Sequence, residues 1–354
     1  MSHDDLRRVQ AAWDALARGK DVFNAIFGWP YKPNQTPDEF LASGEAEIAA
    51  VLHEAARWGL PRGRERALDF GCGAGRLTQA LAAHVEHAVG VDVAPGMIET
   101  AQRLNRKGER CEFVLNEQQA LPFANASFDV VYSVIVLQHM PPELQRGYVA
   151  ELSRVLRPGG LLVFQAAEEL VAAEPLPLAA MVAEIRPEQE RVTVAAGGVA
   201  VLRVRVRNRS RVLWPGAALI ALTNGSDRAY VDRDVAPGAE IVLELPVPAP
   251  AEPGEHLLEL DLLQEHVRRF SERYGRERLS LRRTRPARVV LDVVAGDATE
   301  DTPLAPPPAA EMHALPRGAA LAALEAAGVR VLDVTENDNA GPGWRSLTYW
   351  ATRD

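Results

Sequence analysis

The chain has 354 residues, 47% hydrophobic and 25% charged, with a formal net charge of −9. That is the composition of a soluble globular protein with enough apolar material for two domains, and the acidic balance excludes a general affinity for nucleic acid or an anionic membrane. Two cysteines, Cys72 and Cys111, without a CxxC spacing exclude a disulfide framework and fit a reducing cytoplasm.

The opening MSHDDLRRVQ is charged and lacks the apolar core of a signal peptide, and no apolar run approaches the roughly 20 residues that span a bilayer. A cytoplasmic protein without membrane insertion is expected. Residues 1–60 read as a helical cap, with amphipathic stretches at Asp5–Arg18 and Pro37–Trp58 on either side of the irregular GWPYKPNQ.

From residue 66 strands and helices alternate. ERALDFG reads as a strand and RLTQALAAHV as a helix. HAVGVDV is a strand, and PGMIETAQRLNRKG a helix opened by Pro95 and closed by Gly108. CEFVLN is a strand, FDVVYSVIVL an apolar run, PPELQRGYVAELSRVLRPGG a helix and LLVFQA a strand. Nearly continuous apolar strands alternating with helices predict an α/β, doubly wound parallel sheet covered on both faces.

After Ala167 the pattern changes. Between about 186 and 296 short strand-like runs, among them VTVAAGG, VLRVRVRN, WPGAALIALTNGS, VDRDVAPG, EIVLELPVPAP, HLLELDLL, LSLRRT and ARVVLDVV, are separated by Gly and Pro. In VLRVRVRN, Leu202, Val204 and Val206 alternate with Arg203, Arg205 and Arg207, the period of a half-buried antiparallel strand. An all-β sandwich is predicted there. The acidic, Pro-rich GDATEDTPLAPPPAAEM reads as a linker, after which RGAALAALEAAG is a helix and VRVLDVTEND and WRSLTYWATR form a hairpin. A helix and a hairpin cannot stand alone. The predicted organisation is therefore one domain from 1–167 and 310–354, a β-sandwich over 186–296 inserted into it, and linkers at 168–185 and 297–309.

The chemistry concentrates in ALDFGCGAGRLTQALA. A strand runs into Gly71, Gly73 and Gly75 and a helix begins at once, so the backbone can turn tightly and approach a ligand. Some twenty residues on, VGVDV ends a second strand at Asp92, where a carboxylate can grip ribose hydroxyls. The ligand is adenosine-like. Its spacing is GxGxG rather than the dinucleotide GxGxxG, and Asp69 beside the loop would repel a pyrophosphate but favour an ammonium, which argues for S-adenosylmethionine over NAD.

The runs LDFGCGAGR, GVDVAPGMIETA, LPFANASFDVVYSVIVLQHM and LSRVLRPGGLLVFQ resemble, in order, the motifs of class I Rossmann-like S-adenosylmethionine-dependent methyltransferases, over residues 66–166. The resemblance implies a seven-stranded sheet whose last strand is antiparallel. It also implies a cofactor site in which Asp69, Gly71, Gly73 and Gly75 line the methionine moiety, with Cys72 within the loop and Arg76 following it. Asp92 would bind the ribose, Val93 and Met97 would flank the adenine, Asn116 and Glu117 would follow the third strand where Gly-Asp is commoner, and Ser133 would lie beside the sulfonium. His139, after the fourth strand, is the candidate general base or acceptor-orienting residue, with Gln138 beside it. Tyr31, Phe40 and Ser43–Glu45 are candidates for a lid. The stretches around Trp214–Pro215, PGAEIVLELPVPAP and PGEHLLELDLL resemble immunoglobulin-like domains of bacterial surface-polysaccharide enzymes. That resemblance implies a glycan or protein partner for the β-rich block. The expected function is methyl transfer to a small-molecule or glycan acceptor, probed against the alternative of a cofactor-sensing binding protein. The arginines of the block, Arg203 to Arg211 and Arg282 to Arg288, are read either as a solvated face paired with local acids or as a recognition surface for an anionic group.

Overall fold

A computed structural model describes residues 3–17, 22–27, 36–171, 173–225, 227–250, 252–265, 267–272, 284–295, 312–341 and 343–354. Tyr31, the LSLRR run and the Pro-rich 297–309 segment lie outside the described residues. The chain divides into two compact units, Met1–Leu170 with Pro307–Asp354, and Val171–Pro306.

The first unit begins with α1 (His3–Ala17), α2 (Val22–Phe27) and α3 (Pro37–Ala55). A capping box starts α3: the Thr36 hydroxyl accepts from the Glu39 N–H, and the Glu39 carboxylate accepts from the Thr36 N–H at 2.9 Å. Then follow β1 (Arg66–Phe70), α4 (Arg76–Leu81), β2 (His87–Asp92), α5 (Pro95–Leu104), β3 (Cys111–Leu115), β4 (Phe128–Ser133), α6 (Pro142–Val155) and β5 (Leu156–Leu170). Three expected helices are shorter than their sequences suggested: α5, expected to close at Gly108, ends at Leu104, where Asn105 is extended. α4 stops at Leu81, where a turn brings the His87 N–H to the Glu65 carbonyl. The RPGG step, read as the end of a helix, belongs to β5. Proline lacks the N–H a helix interior needs, and Gly159 takes a φ of 74°.

The second unit holds β6 (Ala183–Pro187), β7 (Arg191–Ala195), β8 (Val199–Asn208), β9 (Ile220–Thr223), β10 (Arg228–Tyr230), β11 (Glu240–Pro248), β12 (Gly254–Gln264), β13 (Arg268–Arg269) and β14 (Ala287–Val294). Among its described residues, one sheet has the order β11-β8-β6 and the other β10-β9-β12-β14-β7, with β13 against β12. Leu202 and Val204 of β8, Leu245 of β11, Leu260 of β12 and Leu291 of β14 meet in one core around the buried Trp214. The alternation in β8 is realised, with Leu202, Val204 and Val206 buried and the arginines between them exposed. VDRDVAPG forms no strand; only Val235 bridges to Trp214. Much of 168–185, expected as a linker, is structured: the Trp214 indole N–H donates to the Ala180 carbonyl at 2.7 Å, and Met181 and Ala183 join the core.

The chain re-enters the first unit through His313–Leu315, whose Leu315 N–H donates to the Ala167 carbonyl at 2.7 Å. It continues as α7 (Arg317–Ala326), β15 (Arg330–Asn337) and β16 (Trp344–Thr352). Among the described residues the first unit's sheet has seven strands in the order β15-β16-β5-β4-β1-β2-β3. β1 to β5 run parallel, and β16 lies between β5 and β15, antiparallel to both. Strand periodicity sends Leu68 and Phe70 of β1 to the face covered by Leu152 of α6 and Leu324 of α7. Ala67 packs on the other face, with Ile48 of α3 and Leu81 of α4. The β1–α4 turn therefore sits at the C-terminal edge of the parallel strands, where open α/β sheets bind ligands.

Candidate cofactor site

The backbone between β1 and α4 takes a left-handed conformation at Gly71, Gly73 and Gly75, with φ of 74°, 51° and 81°. Side chains also exclude anything larger at two of them. A Cβ on Gly71 would come 2.3 Å from the Val136 side chain, and one on Gly75 2.8 Å from the Phe113 ring. The turn is bound to the neighbouring strand: the Gly71 and Cys72 N–H groups both donate to the Val91 carbonyl, at 2.8 and 3.0 Å.

Asp92 ends β2 beside this turn. One carboxylate oxygen accepts from the Gly73 N–H and the other from the Ala94 N–H, both at 2.9 Å. Burial raises its pKa, while these backbone donors act to lower it. Asp92, Gly71, Gly73, Val93, Met97 and Asn116 line a cleft of about 660 Å³, a volume that includes space open to solvent. Six of the residues assigned to the cofactor are thus brought together. Asn116 has its own side chain engaged by its loop, donating to the Gln118 carbonyl at 2.9 Å. Glu117 is exposed and accepts from Gln10 of α1 at 2.6 Å, away from the cleft lining.

Asp69, Cys72, Gly75, Arg76 and Ser133 do not line the cleft but support it. Asp69 is buried and accepts from the Thr78 hydroxyl of α4 at 2.6 Å, which ties the end of β1 to the helix. Arg76, also buried, pairs with Glu47 of α3 at 2.7 Å, and Glu47 accepts from the Tyr132 hydroxyl of β4 at 2.8 Å. Gly44 admits this packing, since a Cβ there would lie 2.7 Å from the Arg76 carbonyl oxygen. Ser133 donates to the Phe70 carbonyl at 3.0 Å, joining β4 to β1. The Cys72 thiol is pushed up first by burial and then by Asp92 and Asp69, so it is no nucleophile. Phe40 packs face to face on Phe23 at 4.3 Å, a core contact.

The remaining wall of the cleft is apolar. It comprises Leu6, Val9 and Trp13 of α1, Ile26 of α2, and Val134 to Val136 and Met140 after β4, together with Phe70, Val91 and Tyr148. His139 packs edge-on against Trp13 at 5.1 Å. Gln138 turns inward, its side-chain oxygen accepting from Gln165 at 2.7 Å. Gln165 also donates to the Ser346 hydroxyl of β16 at 2.6 Å and accepts the Ile135 N–H at 2.8 Å. Ile135 holds a φ of 59°, a strained conformation for a β-branched residue that this buried network sustains. Thr78, Glu47, Trp13 and Gln165 escape sequence reasoning. Thr78 and Glu47 carried a faint signal, polar residues on the buried faces of helices, but Gln165 reads as one more position of an apolar strand.

Residues 68–164 match the family model described as a methyltransferase domain. Over that segment the chain is similar to methyltransferase domains. It is 42% identical over 138 residues to 24-methylenesterol C-methyltransferase 2 of Oryza sativa subsp. japonica, a match covering 38% of this chain and 36% of the relative. It is 37% identical over 117 residues to 2-methyl-6-phytyl-1,4-hydroquinone methyltransferase of Synechocystis sp., covering 32% of this chain and 36% of the relative. The matched segment thus spans 36% of the length of each of these two relatives. Among solved structures, magnesium protoporphyrin IX methyltransferase of Synechocystis is 12% identical, over 99% of this chain and 100% of that one, with a TM-score of 0.47, too distant a likeness to bear on the site.

The site suits S-adenosylmethionine, the cofactor expected from the sequence. The side-chain-free turn admits close approach to the main chain, Asp92 offers a carboxylate to hydroxyls, and Val93 and Met97 offer apolar surface to a flat base. Asp92→Ala is expected to weaken cofactor binding by about 1.5–3 kcal/mol, the scale of hydrogen bonds to a charged group. Calorimetric titration with S-adenosylmethionine checks this, and an unchanged affinity refutes it.

Burial raises the pKa of Asp69 to about 7, with the Thr78 hydrogen bond and the Arg76 charge opposing the rise and the Glu47 charge adding to it. Because the folded value lies above the ordinary one of about 4, this group's stabilisation is complete below pH ~4 and is lost as the pH rises through about 7. In the ligand-free protein Asp69→Asn is expected to remove that slope. The variant should gain on the wild type by on the order of 2–4 kcal/mol between pH 4 and pH 8. Urea unfolding across that range reads the difference, and a gap that does not change with pH contradicts it.

Proposed function

We propose that the whole chain is an S-adenosylmethionine-dependent methyltransferase acting on oxygen or nitrogen of a small-molecule acceptor. The observation that carries this reading is the continuity of one cleft, from the Gly71–Gly73 turn and Asp92 at one wall to apolar side chains of α1, α2 and the segment after β4 at the other. The cofactor supplies a methyl group activated on a sulfonium. The chain's part is to hold the acceptor close to that methyl and to exclude water. Asp69, Cys72, Gly75, Arg76 and Ser133 brace the cofactor wall, while Gly71, Gly73, Asp92, Val93, Met97 and Asn116 line it, and Glu117 takes no part. The apolar far wall favours an acceptor with apolar surface over a bare sugar ring. The relatives' names, a 24-methylenesterol C-methyltransferase and a 2-methyl-6-phytyl-1,4-hydroquinone methyltransferase, support an apolar acceptor, while the first is named for transfer to carbon.

His139 is the candidate base. It follows Val136 and precedes Met140, both cleft-lining, and lies against Trp13. His139→Ala is expected to lower the transfer rate about 10²–10⁴-fold with little change in cofactor affinity. Transfer of labelled methyl from the cofactor into fractionated extract first identifies an acceptor, and the variant is then measured with that acceptor saturating. Absence of any labelled product overturns the enzymatic reading, and an unchanged rate returns His139 to a packing role.

The second unit is proposed to be an immunoglobulin-like β-sandwich inserted into the methyltransferase domain. Two sheets sharing one core support the sandwich. The pairing of β16 with β5, and the hydrogen bond from Leu315 to Ala167, support insertion. Replacing residues 186–296 by a short Gly/Ser linker is expected to leave a soluble protein that binds the cofactor, whereas truncation near residue 300 bares the edge of β5 and should aggregate. The opposite pair of outcomes would show two domains in tandem.

A further inference from the structure

The arginines of β8 fall into two groups. Arg203 lies 3.3 Å from Glu244, and Arg205 is 3.0 Å from Glu188 and 3.4 Å from Glu240. These are paired residues of a solvated face. Beyond them, Arg207, Arg209 and Arg211 converge with Arg285 on a groove of about 1390 Å³, open to solvent. Among the described residues Arg207, Arg211 and Arg285 form no ion pair, and Arg207 spends only its Nε, on the Gly238 carbonyl at 2.9 Å. Glu184 is the acid in the groove's lining. Its carboxylate is already engaged by Arg186 and lies 3.9 Å from Arg209. Four arginines thus line a groove whose lining holds one acid, in a chain whose net charge is −9.

We infer that this groove of the second unit is a binding site for a soluble ligand carrying a diphosphate. Like charges brought together without counter-charges repel, and a bound oxyanion relieves that repulsion. Guanidinium forks match phosphate oxygens in pairs. A diphosphate concentrates several negative charges within a few ångströms, whereas a uronate brings one per sugar and leaves most of the arginines uncompensated. The groove is larger than a diphosphate, so it has room for the group the diphosphate carries. Its concave form suits a ligand that enters it better than the plane of a membrane.

The test is calorimetric titration of the full chain with inorganic pyrophosphate at low ionic strength. Saturable binding is expected, weakened about tenfold or more in Arg211→Glu/Arg285→Glu and changed less than about twofold in Arg203→Glu/Arg205→Glu. Arg211→Lys/Arg285→Lys is expected to lie between wild type and the glutamate pair, since it keeps charge and loses the fork. Melting temperatures confirm that all variants fold, and if the glutamate pair does not, Arg211→Gln/Arg285→Gln takes its place. The inference falls if wild type binds no pyrophosphate. It falls too if the Arg203/Arg205 control weakens as much, or if the chain binds phosphatidylglycerol vesicles or oligogalacturonate but not pyrophosphate.

Discussion

Between Phe70 and Arg76 the backbone turns from strand to helix in a space that admits almost no side chain. Val136 closes on Gly71 from one side and Phe113 on Gly75 from another, and the left-handed φ values exclude most residues even where there is room. The geometry around this turn depends on it. The same tightness that brings Val136 against Gly71 brings the segment after β4 to the cleft, and the Gly73 N–H left facing outward is what orients the Asp92 carboxylate. A bulky residue at Gly71 would displace both walls at once.

The supports behind the turn are polar and buried, which makes them costly to leave unpaired. Asp69 with Thr78, and Arg76 with Glu47 and Tyr132, link β1, α4, α3 and β4. On the other side Gln165 joins Gln138, Ile135 and Ser346, so the strained segment after β4 is held from β5 and β16 together. Burial on this scale fixes positions more than it adds stability, because each group gives up hydration to form its bond.

The sheet and the turn were legible in the sequence because they rest on local rules. Apolar runs of strand length, glycines directly after a strand and an acid ending the next one need no distant partner to be read. The β-rich character of the second unit was equally plain in the alternation from Leu202 to Arg207. What escaped depends on contacts between distant residues. Gln165 meets Ser346 across 181 positions, and no periodicity announces such a pair. The length of α4 was overestimated because RLTQALAAHV is helical in propensity, while the backbone is diverted to bring His87 into register with Arg66. The arginines of β8 showed their spacing in the sequence, but not which of them had acids opposite.

The insertion of β16 between β5 and β15 has a consequence for synthesis. β5 gains its outer partner only after the whole second unit has been translated, since Arg345 meets Glu169 across 176 positions. At about 5–20 residues per second, that interval lasts on the order of 10–30 s. During it a nascent chain carries an apolar strand with one unpaired edge, the kind of edge that recruits other strands. The second unit, whose strands are contiguous in sequence, can form meanwhile. The first unit must meanwhile wait as an incomplete sheet, with the edge of β5 open until β16 is made.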